Sequence, residues 1–267
     1  MRRVRWPLLV LVALAAAAVA APWLAPFDPN AQPDPIGLAL QAPTWAHPFG
    51  TDPYSRDVLS RVLFGARASL GIALLAVVVA LSVGSAVGAA AALAGRWVDA
   101  ALMRLTDSVL AIPRLLLLLL VVAGAGPLSP PLLALILGAT GWMTTARLVR
   151  QETRRLLATD HVQGARALGV PARRLWRRHV LPGLAPTLAT AATIAFAAAI
   201  PLEAGLSFLG LGVRPPSPSW GNIILEAEGR ILHAWWLVVF PTLGIVVAVL
   251  AANVLAERLG ADEARTR

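Results

Sequence analysis

The chain has 267 residues, of which 58% are hydrophobic and 14% are charged, and its net charge is +9. Soluble globular proteins carry about 25% charged residues, so the composition excludes a soluble domain and a disordered chain and predicts an all-α, polytopic membrane protein. All 23 basic residues are arginine and cysteine is absent, which excludes a P-loop lysine, a thiolate nucleophile and a disulfide. We therefore expect ATP chemistry to lie on another chain.

Six apolar segments are long enough to cross a membrane, for which about 20 residues are needed. Glycines and prolines between residues 124 and 131 predict a turn that separates the third span from the fourth. Arg114 then lies inside the third span, and we expect its side chain to reach towards the cytoplasmic end of that helix. The spans are predicted at residues 6–25, 68–95, 106–124, 131–149, 184–202 and 234–256.

The arginines also predict how the spans are oriented, because cytoplasmic loops of membrane proteins are enriched in basic residues. With the N-terminus inside, 17 arginines fall on the cytoplasmic side and five on the other. We therefore expect a multi-pass protein of the cytoplasmic (inner) membrane with both termini in the cytoplasm. Since the basic residues lie between apolar segments, the lipid bilayer is an expected partner and nucleic acid is not. The first span also resembles a signal peptide ending at Ala18-Val19-Ala20, and its cleavage is an alternative.

A proline-rich loop follows the first span and contains the segment SRDVLSR at residues 55–61. Ser55 is a candidate N-cap, and Asp57 and Arg61 have the i, i+4 spacing of an ion pair on a helix. The segment predicts a short amphipathic helix at the outer interface. This helix is either a surface element that leads into the second span or a docking surface for an outer partner. The docking candidates are Asp52, Arg56, Asp57 and Arg61.

The loop at residues 150–183, on the predicted cytoplasmic side, has the pattern helix, turn, helix. Asp160 is expected to cap the first helix, and Gly169 fits the left-handed position that ends it. Pro171 is expected to open the second helix, and Pro182 to separate that helix from the fifth span. The second helix carries a basic stripe, and one interpretation of this stripe is an anchor to anionic lipid headgroups. The stripe consists of Arg173, Arg174, Arg177 and Arg178.

This loop resembles the EAA loop in permease subunits of ATP-binding-cassette (ABC) importers, whose pattern is Glu-Ala-Ala, three residues, Gly, nine residues and then Ile-x-Leu-Pro. The spacing is the same here, with Gln in place of Glu and Gly in place of the first Ala. The resemblance implies that the loop couples this chain to an ATPase. The implied coupling residues are Gln163, Gly164, Ala165, Gly169, Leu181 and Pro182.

Two further segments resemble the dipeptide/oligopeptide/nickel group of these permeases and, within it, the C-type subunit. They are HPFGTD…SRDVLSR in the outer loop and EAGLSFLGLG…PSWG after the fifth span. Glu203 and Ser207, in the second segment, are the candidates for the pathway or its gate. A carboxylate that closes an apolar run has a partner or a function. Glu203 either pairs with Arg214 or a second subunit, or contacts a peptide amino group.

The resemblance implies the type I ABC importer permease fold with a MetI-like core. On this basis residues 1–67 form an N-terminal helix and an extracytoplasmic loop, residues 68–256 a five-helix core, and residues 257–267 a cytoplasmic tail. The implied partners are a homologous second permease subunit, two cytoplasmic ATPases that hold ATP and magnesium, and an extracytoplasmic solute-binding protein. The chain itself is expected to hold no cofactor or metal and to catalyse no reaction.

The expected function is ATP-driven import of a solute, which is a di- or oligopeptide in the commonest case of this group. Nickel or another small solute is an alternative within the same group. A secondary transporter without an ATPase is a further alternative, but such proteins place several ionisable groups at mid-membrane. Only Arg114 and Glu203 are candidates for such groups, and the sequence predicts both near helix ends.

Overall fold

The computed structural model describes residues 5–126 and 128–266, and every named element in this part of the chain is helical. The all-α prediction is therefore confirmed. In chain order the elements are α1 (Arg5–Val19), α2 (Ala21–Leu24), α3 (Val58–Leu93), α4 (Arg96–Leu110), α5 (Arg114–Ala125), α6 (Pro130–Ala139), α7 (Trp142–Leu157), α8 (Asp160–Ala167), α9 (Ala172–Leu175), a π-helical segment (Trp176–Val180), α10 (Leu181–Gly183), α11 (Ala185–Phe208), α12 (Trp220–Leu225) and α13 (Trp236–Thr266).

Three helices, α3, α11 and α13, are each long and apolar enough to cross a membrane. α3 is the longest, and its 36 residues span about 54 Å at 1.5 Å per residue. It begins at Val58, because the carboxylate of Asp57 accepts a hydrogen bond from the backbone N–H of Ser60 and so caps the helix. The prediction of a separate interfacial helix capped by Ser55 is wrong, since those residues are the cap and first turns of α3.

Two further spans are bent pairs of helices. α4 and α5 meet at 84° and α6 and α7 meet at 46°, so the helices give up to five spans, and α1 is a shorter apolar helix. The first break ends at Pro113, whose ring removes a backbone donor and keeps the preceding residue out of the helical conformation. The third predicted span, residues 106–124, is therefore divided between α4 and α5. The fourth predicted span, residues 131–149, is likewise divided between α6 and α7.

α3 lies at the centre of the bundle, in contact with α6, α7 and α11, while α13 packs on α11 and α1. Glycines bring the backbones close together, as in many membrane helices. A Cβ on Gly88 of α3 would lie 2.4 Å from the carbonyl oxygen of Ala146 on α7. One on Gly138 of α6 would lie 2.5 Å from the Cβ of Val79 on α3. Both halves of the second bent pair thus pack on α3.

The two ends of the bundle carry different loops. The loop at residues 25–57 lies at the start of α3, where Val58 packs in one apolar cluster with Trp236. α8 to α10 lie at the other end of α3, where Ala89 packs against a cluster that includes Val180. We call these ends the proline-rich side and the arginine-rich side, and each carries one of the candidate sites.

Candidate functional site

The arginine-rich side carries the predicted coupling loop, which begins where α7 ends. Thr159 is the N-cap of α8 and Asp160 is its first helical residue, so the prediction that Asp160 caps this helix is wrong by one position. The carboxylate of Asp160, in the first turn of α8, still interacts favourably with the helix dipole. The predicted turn is confirmed: Gly169 has φ = +79°, and Val170 donates a backbone hydrogen bond to the carbonyl of Ala165.

The second half of this loop is not separated from the next span. α9, the π-helical segment, α10 and α11 follow one another with a single residue, Leu184, outside the helices. Leu181 donates its backbone N–H to the carbonyl of Trp176, five residues earlier, and Pro182 directly after it has no N–H to donate. In a π turn the backbone N–H bonds to the carbonyl five residues earlier and not four, so the hydrogen-bond pattern shifts by one residue just before the proline. The prediction that Pro182 separates the second helix from the fifth span is therefore wrong, and α11 continues almost directly from the loop.

One face of α8 is exposed. Val162 is buried against the bundle, Ala165 is half-buried, and Gln163, Gly164 and Leu168 are exposed. A Cβ added to Gly164 would meet no atom within 4 Å, so the exposed face is both small and open. A short helix with such a face can enter a groove on another protein.

Gln163 also attaches α8 to α7. Its side-chain Nε2 donates a hydrogen bond of 2.8 Å to the backbone carbonyl oxygen of Leu157, the last residue of α7. An ionised carboxylate has no proton to donate. The bond therefore requires Gln, and not the Glu of the EAA pattern, so the departure from that pattern has a structural consequence in this chain.

Ion pairs hold the second half of α7 against α4. Arg150 and Arg154 both contact the carboxylate of Asp99, with 2.7 Å between Arg154 Nη2 and Asp99 Oδ2, and Arg147 pairs with Asp107. Sequence analysis used these arginines only to orient the chain. The signal that it missed is the spacing of the two aspartates, which lie about two turns apart on α4. Because the pairs position α7, they also position the start of the coupling loop.

The proline-rich side contains a buried network of four charged residues. Arg56 and Arg61 each donate to Glu226 Oε1, at 2.7 and 2.8 Å, and both also pair with Asp52. Burial raises the pKa of the Glu226 carboxyl, and the charges of Arg61 and Arg56 act in the opposite direction. Sequence analysis missed Glu226, which lies 170 residues from Arg56 in a segment without a recognisable pattern.

The docking candidates are thus interior residues of this chain. Asp52, Arg56, Asp57 and Arg61 are at most 4% exposed. The predicted pair between Asp57 and Arg61 is wrong, because Asp57 caps α3 and contacts Nδ1 of His47 at 2.9 Å. These residues hold the loop at residues 25–57 against α3 and against the segment after α12. The side chains that this arrangement leaves exposed include Ile36, Trp45 and Tyr54.

Glu203 and Ser207, the pathway candidates, are completely buried near the end of α11. Ser207 Oγ donates a hydrogen bond of 2.7 Å to Glu203 Oε1 and accepts one of 3.0 Å from the backbone N–H of Val213. Ser207 is therefore a partner of Glu203, as is Ser69, and the predicted pairing with Arg214, which is exposed, is wrong. Both side chains pack inside this chain and stabilise the turn that leads away from α11.

Comparison with known proteins identifies the family. Residues 83–262 match the family described as "Binding-protein-dependent transport system inner membrane component". The chain belongs to this family. It is therefore an inner-membrane component of a transport system that depends on a binding protein, as the sequence analysis predicted.

Relatives resemble this inner-membrane component over nearly its whole length. A Brucella suis protein named "Putative peptide transport system permease protein" is 40% identical over 260 residues, which cover 97% of this chain and 86% of that protein. The di/tripeptide transport system permease protein DppC of Pseudomonas aeruginosa is 37% identical over 260 residues, which cover 94% of this chain and 84% of that protein.

A solved structure supports the fold. An inward-facing structure of the methionine ABC transporter MetNI matches with a TM-score of 0.57 and covers 76% of this chain and 97% of that chain. The sequence identity is 18%, so this likeness concerns the fold alone. It confirms the predicted ABC importer permease fold, and the up to five spans together with α1 are compatible with the predicted count of about six.

Proposed function

We propose that this inner-membrane component is one of two permease subunits of an ATP-driven importer whose solute is a di- or oligopeptide. The peptide is inferred from the names of relatives that are 37 to 40% identical to this chain. The observation that carries the proposal is the exposed face of α8, which is small and open while both ends of the helix are attached to membrane helices. In this assignment the arginine-rich side and both termini face the cytoplasm.

A partner ATPase receives α8, and a second ATPase receives the equivalent loop of the other permease subunit. ATP and magnesium bind to the ATPases, and their closure displaces the helix that each of them holds. The displacement reaches α7 through the hydrogen bond from Gln163 to Leu157, and reaches α11 through α9 and α10. Because α7 and α11 both pack on α3, a shift of α8 changes the packing at the centre of the bundle. Such a change of helix packing switches the pathway from inward-facing to outward-facing.

The proline-rich side receives the solute-binding protein. The buried ion network fixes the loop, and exposed side chains form the contact surface, among them Trp45, which is fully exposed, and Tyr54. The charged residues predicted as docking contacts lie below this surface and fix the conformation of the loop. A rigid loop with exposed aromatic residues is suited to this task, since aromatic residues dominate many protein interfaces.

The test is reconstitution of both permease subunits and both ATPases in liposomes, with loaded binding protein on the outer side. Labelled dipeptide should enter only when ATP is available to the ATPases. The chain has no cysteine, so single cysteines introduced at Ala165 and Trp45 report two separate surfaces. We expect the first to crosslink to the ATPase and the second to the binding protein. Exchanged crosslinks, or uptake that does not need ATP, would contradict the assignment.

A further inference from the structure

Arg114 is the first residue of α5, and its side chain lies inside the helix bundle. Its side chain lines a cavity of about 110 Å³ together with Ala76 and Ala80 of α3 and Ala195 of α11. The two alanines of α3 lie near the middle of that 36-residue helix, so the guanidinium is at mid-height in the bundle. The prediction that Arg114 reaches the cytoplasmic end of its helix is wrong, because the helix breaks at Pro113 and redirects the residues that follow.

Two helix breaks create this position. α5 begins at Arg114, directly after the first break, and Gly141 in the second break lines the same cavity. A Cβ on Gly141 would lie 2.6 Å from Arg114 Nη2, so glycine leaves room for the guanidinium. An ionisable side chain at this depth in a membrane protein is costly unless it has a partner or a function.

The guanidinium of Arg114 does not have a full set of partners. Nη2 donates a hydrogen bond of 2.8 Å to the carbonyl of Leu137, near the end of α6, but Nε is buried without a hydrogen-bond partner. Leu137 also accepts a hydrogen bond from the hydroxyl of Thr140, so the end of α6 does not depend on Arg114 alone. In the part of the chain that the structure describes, Arg114 takes part in none of the ion pairs and no acidic side chain lines the cavity.

We propose that this cavity is a subsite for the carboxylate of the transported solute. The inference rests on the function proposed above, since every linear di- or oligopeptide with a free C-terminus ends in a carboxylate. A guanidinium binds a carboxylate through charge-assisted and often paired hydrogen bonds, and Arg114 Nε makes no hydrogen bond within this chain. Thr144 and Thr145 add hydroxyl groups to the same cavity. Thr144 and Ile194 are exposed and line it, so the cavity opens between α7 and α11.

The size of the cavity limits what it takes. A volume of about 110 Å³ holds a carboxylate and the atoms next to it, and it does not hold a whole peptide. The site therefore binds one end of the solute while the rest remains in the pathway. It distinguishes a solute with a free carboxylate from one whose carboxylate is blocked, because only the former compensates the buried charge.

The first test compares Arg114→Gln with Arg114→Lys in the reconstituted complex, with uptake rates corrected for the occupancy of the binding protein by each peptide. Gln keeps a donor for the Leu137 carbonyl and removes the charge, whereas Lys keeps the charge. Arg104→Gln is the matched control, since the side chain of Arg104 is exposed. We expect Arg114→Gln to lower the initial uptake of a free-acid dipeptide at least about tenfold, and that of its C-terminal amide less than about twofold.

We expect Arg114→Lys to retain part of the difference between acid and amide, and Arg104→Gln to retain all of it. Equal losses for acid and amide in Arg114→Gln, or no loss at all, would overturn the carboxylate subsite. The acid-to-amide ratio is the decisive readout, because a general defect in folding or assembly lowers both rates together.

The second test does not depend on transport. A cysteine at Thr144, whose side chain lines the cavity and is exposed, should react faster with an anionic methanethiosulfonate than with a cationic one. This preference should disappear in Arg114→Gln, and the free-acid dipeptide, but not its amide, should slow the labelling. Absence of the preference or of the protection would overturn the subsite. If wild type imports no peptide while the labelling behaves as described, the proposed function fails and the subsite stands.

Discussion

Replacing Gly169 with leucine should uncouple the transporter without unfolding this chain. Gly169 has φ = +79°, a conformation in which a residue with a Cβ costs about 1–2 kcal/mol. A Cβ at this position would meet no atom within 4 Å, so the cost is conformational and includes no steric clash. An energy of this size shifts the balance between the native turn and other turns by a factor of about 5 to 30. The turn whose conformation changes is the one that connects α8 to α9.

The assay measures three quantities side by side: membrane abundance, capture of the ATPase by the tagged chain, and ATP-dependent peptide uptake. Abundance should equal that of wild type, because the turn is exposed and remote from the contacts between α3, α7 and α11. ATPase capture and uptake should both fall. Gly169→Asn should recover most of the loss, since asparagine tolerates positive φ better than other residues with a side chain of this size.

Gly126→Leu is a more severe control for backbone strain, because Gly126 has ψ = −151° at positive φ, a conformation essentially restricted to glycine. Gly126 has φ = +71° and a Cβ there would also meet no atom within 4 Å, but it lies between α5 and α6, away from the coupling loop. Uptake should therefore survive this substitution. Normal uptake by Gly169→Leu would refute the reasoning and make α8 an ordinary surface helix. An equal loss in both variants would show that strain at any loop is enough, and would equally refute a special role for this turn.

Three other predictions test separate parts of the structure. Gln163→Glu removes the hydrogen bond from this side chain to the end of α7, which contributes about 1 kcal/mol. Hydrogen exchange of the α8 amides should therefore accelerate, and unchanged exchange would contradict this bond. Glu226→Gln leaves two buried guanidinium groups with the single carboxylate of Asp52 and should cost about 3 kcal/mol, seen as a lower melting temperature in detergent. The exposed Glu228→Gln should have no such effect. A reporter that is active only in the cytoplasm should work when inserted near Pro171 and fail near Gln41, and the reverse pattern would overturn the orientation.

Features that depend on neighbouring residues alone could be predicted from the sequence. Apolar segments of span length correspond to helices because each satisfies its own backbone hydrogen bonds in lipid. The turn at Gly169 needed only a residue without a Cβ at the end of α8. The family resemblance rested on the same kind of local pattern, in the coupling loop and in the segment around Glu203.

Features that depend on contacts between distant segments could not be predicted. Arg56 and Glu226 meet across 170 residues, so neither shows its partner in the local sequence, and charged residues that looked exposed are interior. The helix break at Pro113 was visible as a proline, but the apolar run around it satisfied the length of a span. The chain turns by 84° there, and the packing of α5 in one apolar cluster with α3 and α6 is not visible in the local sequence.

Pro182 shows how a local rule can fail with a consequence for function. A proline at this position would normally end a helix, and the expected separation would have left α9 flexibly joined to α11. The π turn before Pro182 keeps the chain helical instead, so α9 is joined to α11 by a nearly continuous helix. α8 is connected to α9 by the turn at Gly169, and to α7 by a short turn and the side chain of Gln163. We therefore expect a push on α8 to reach α11 through the turn at Gly169, after which α9, α10 and α11 move as a unit.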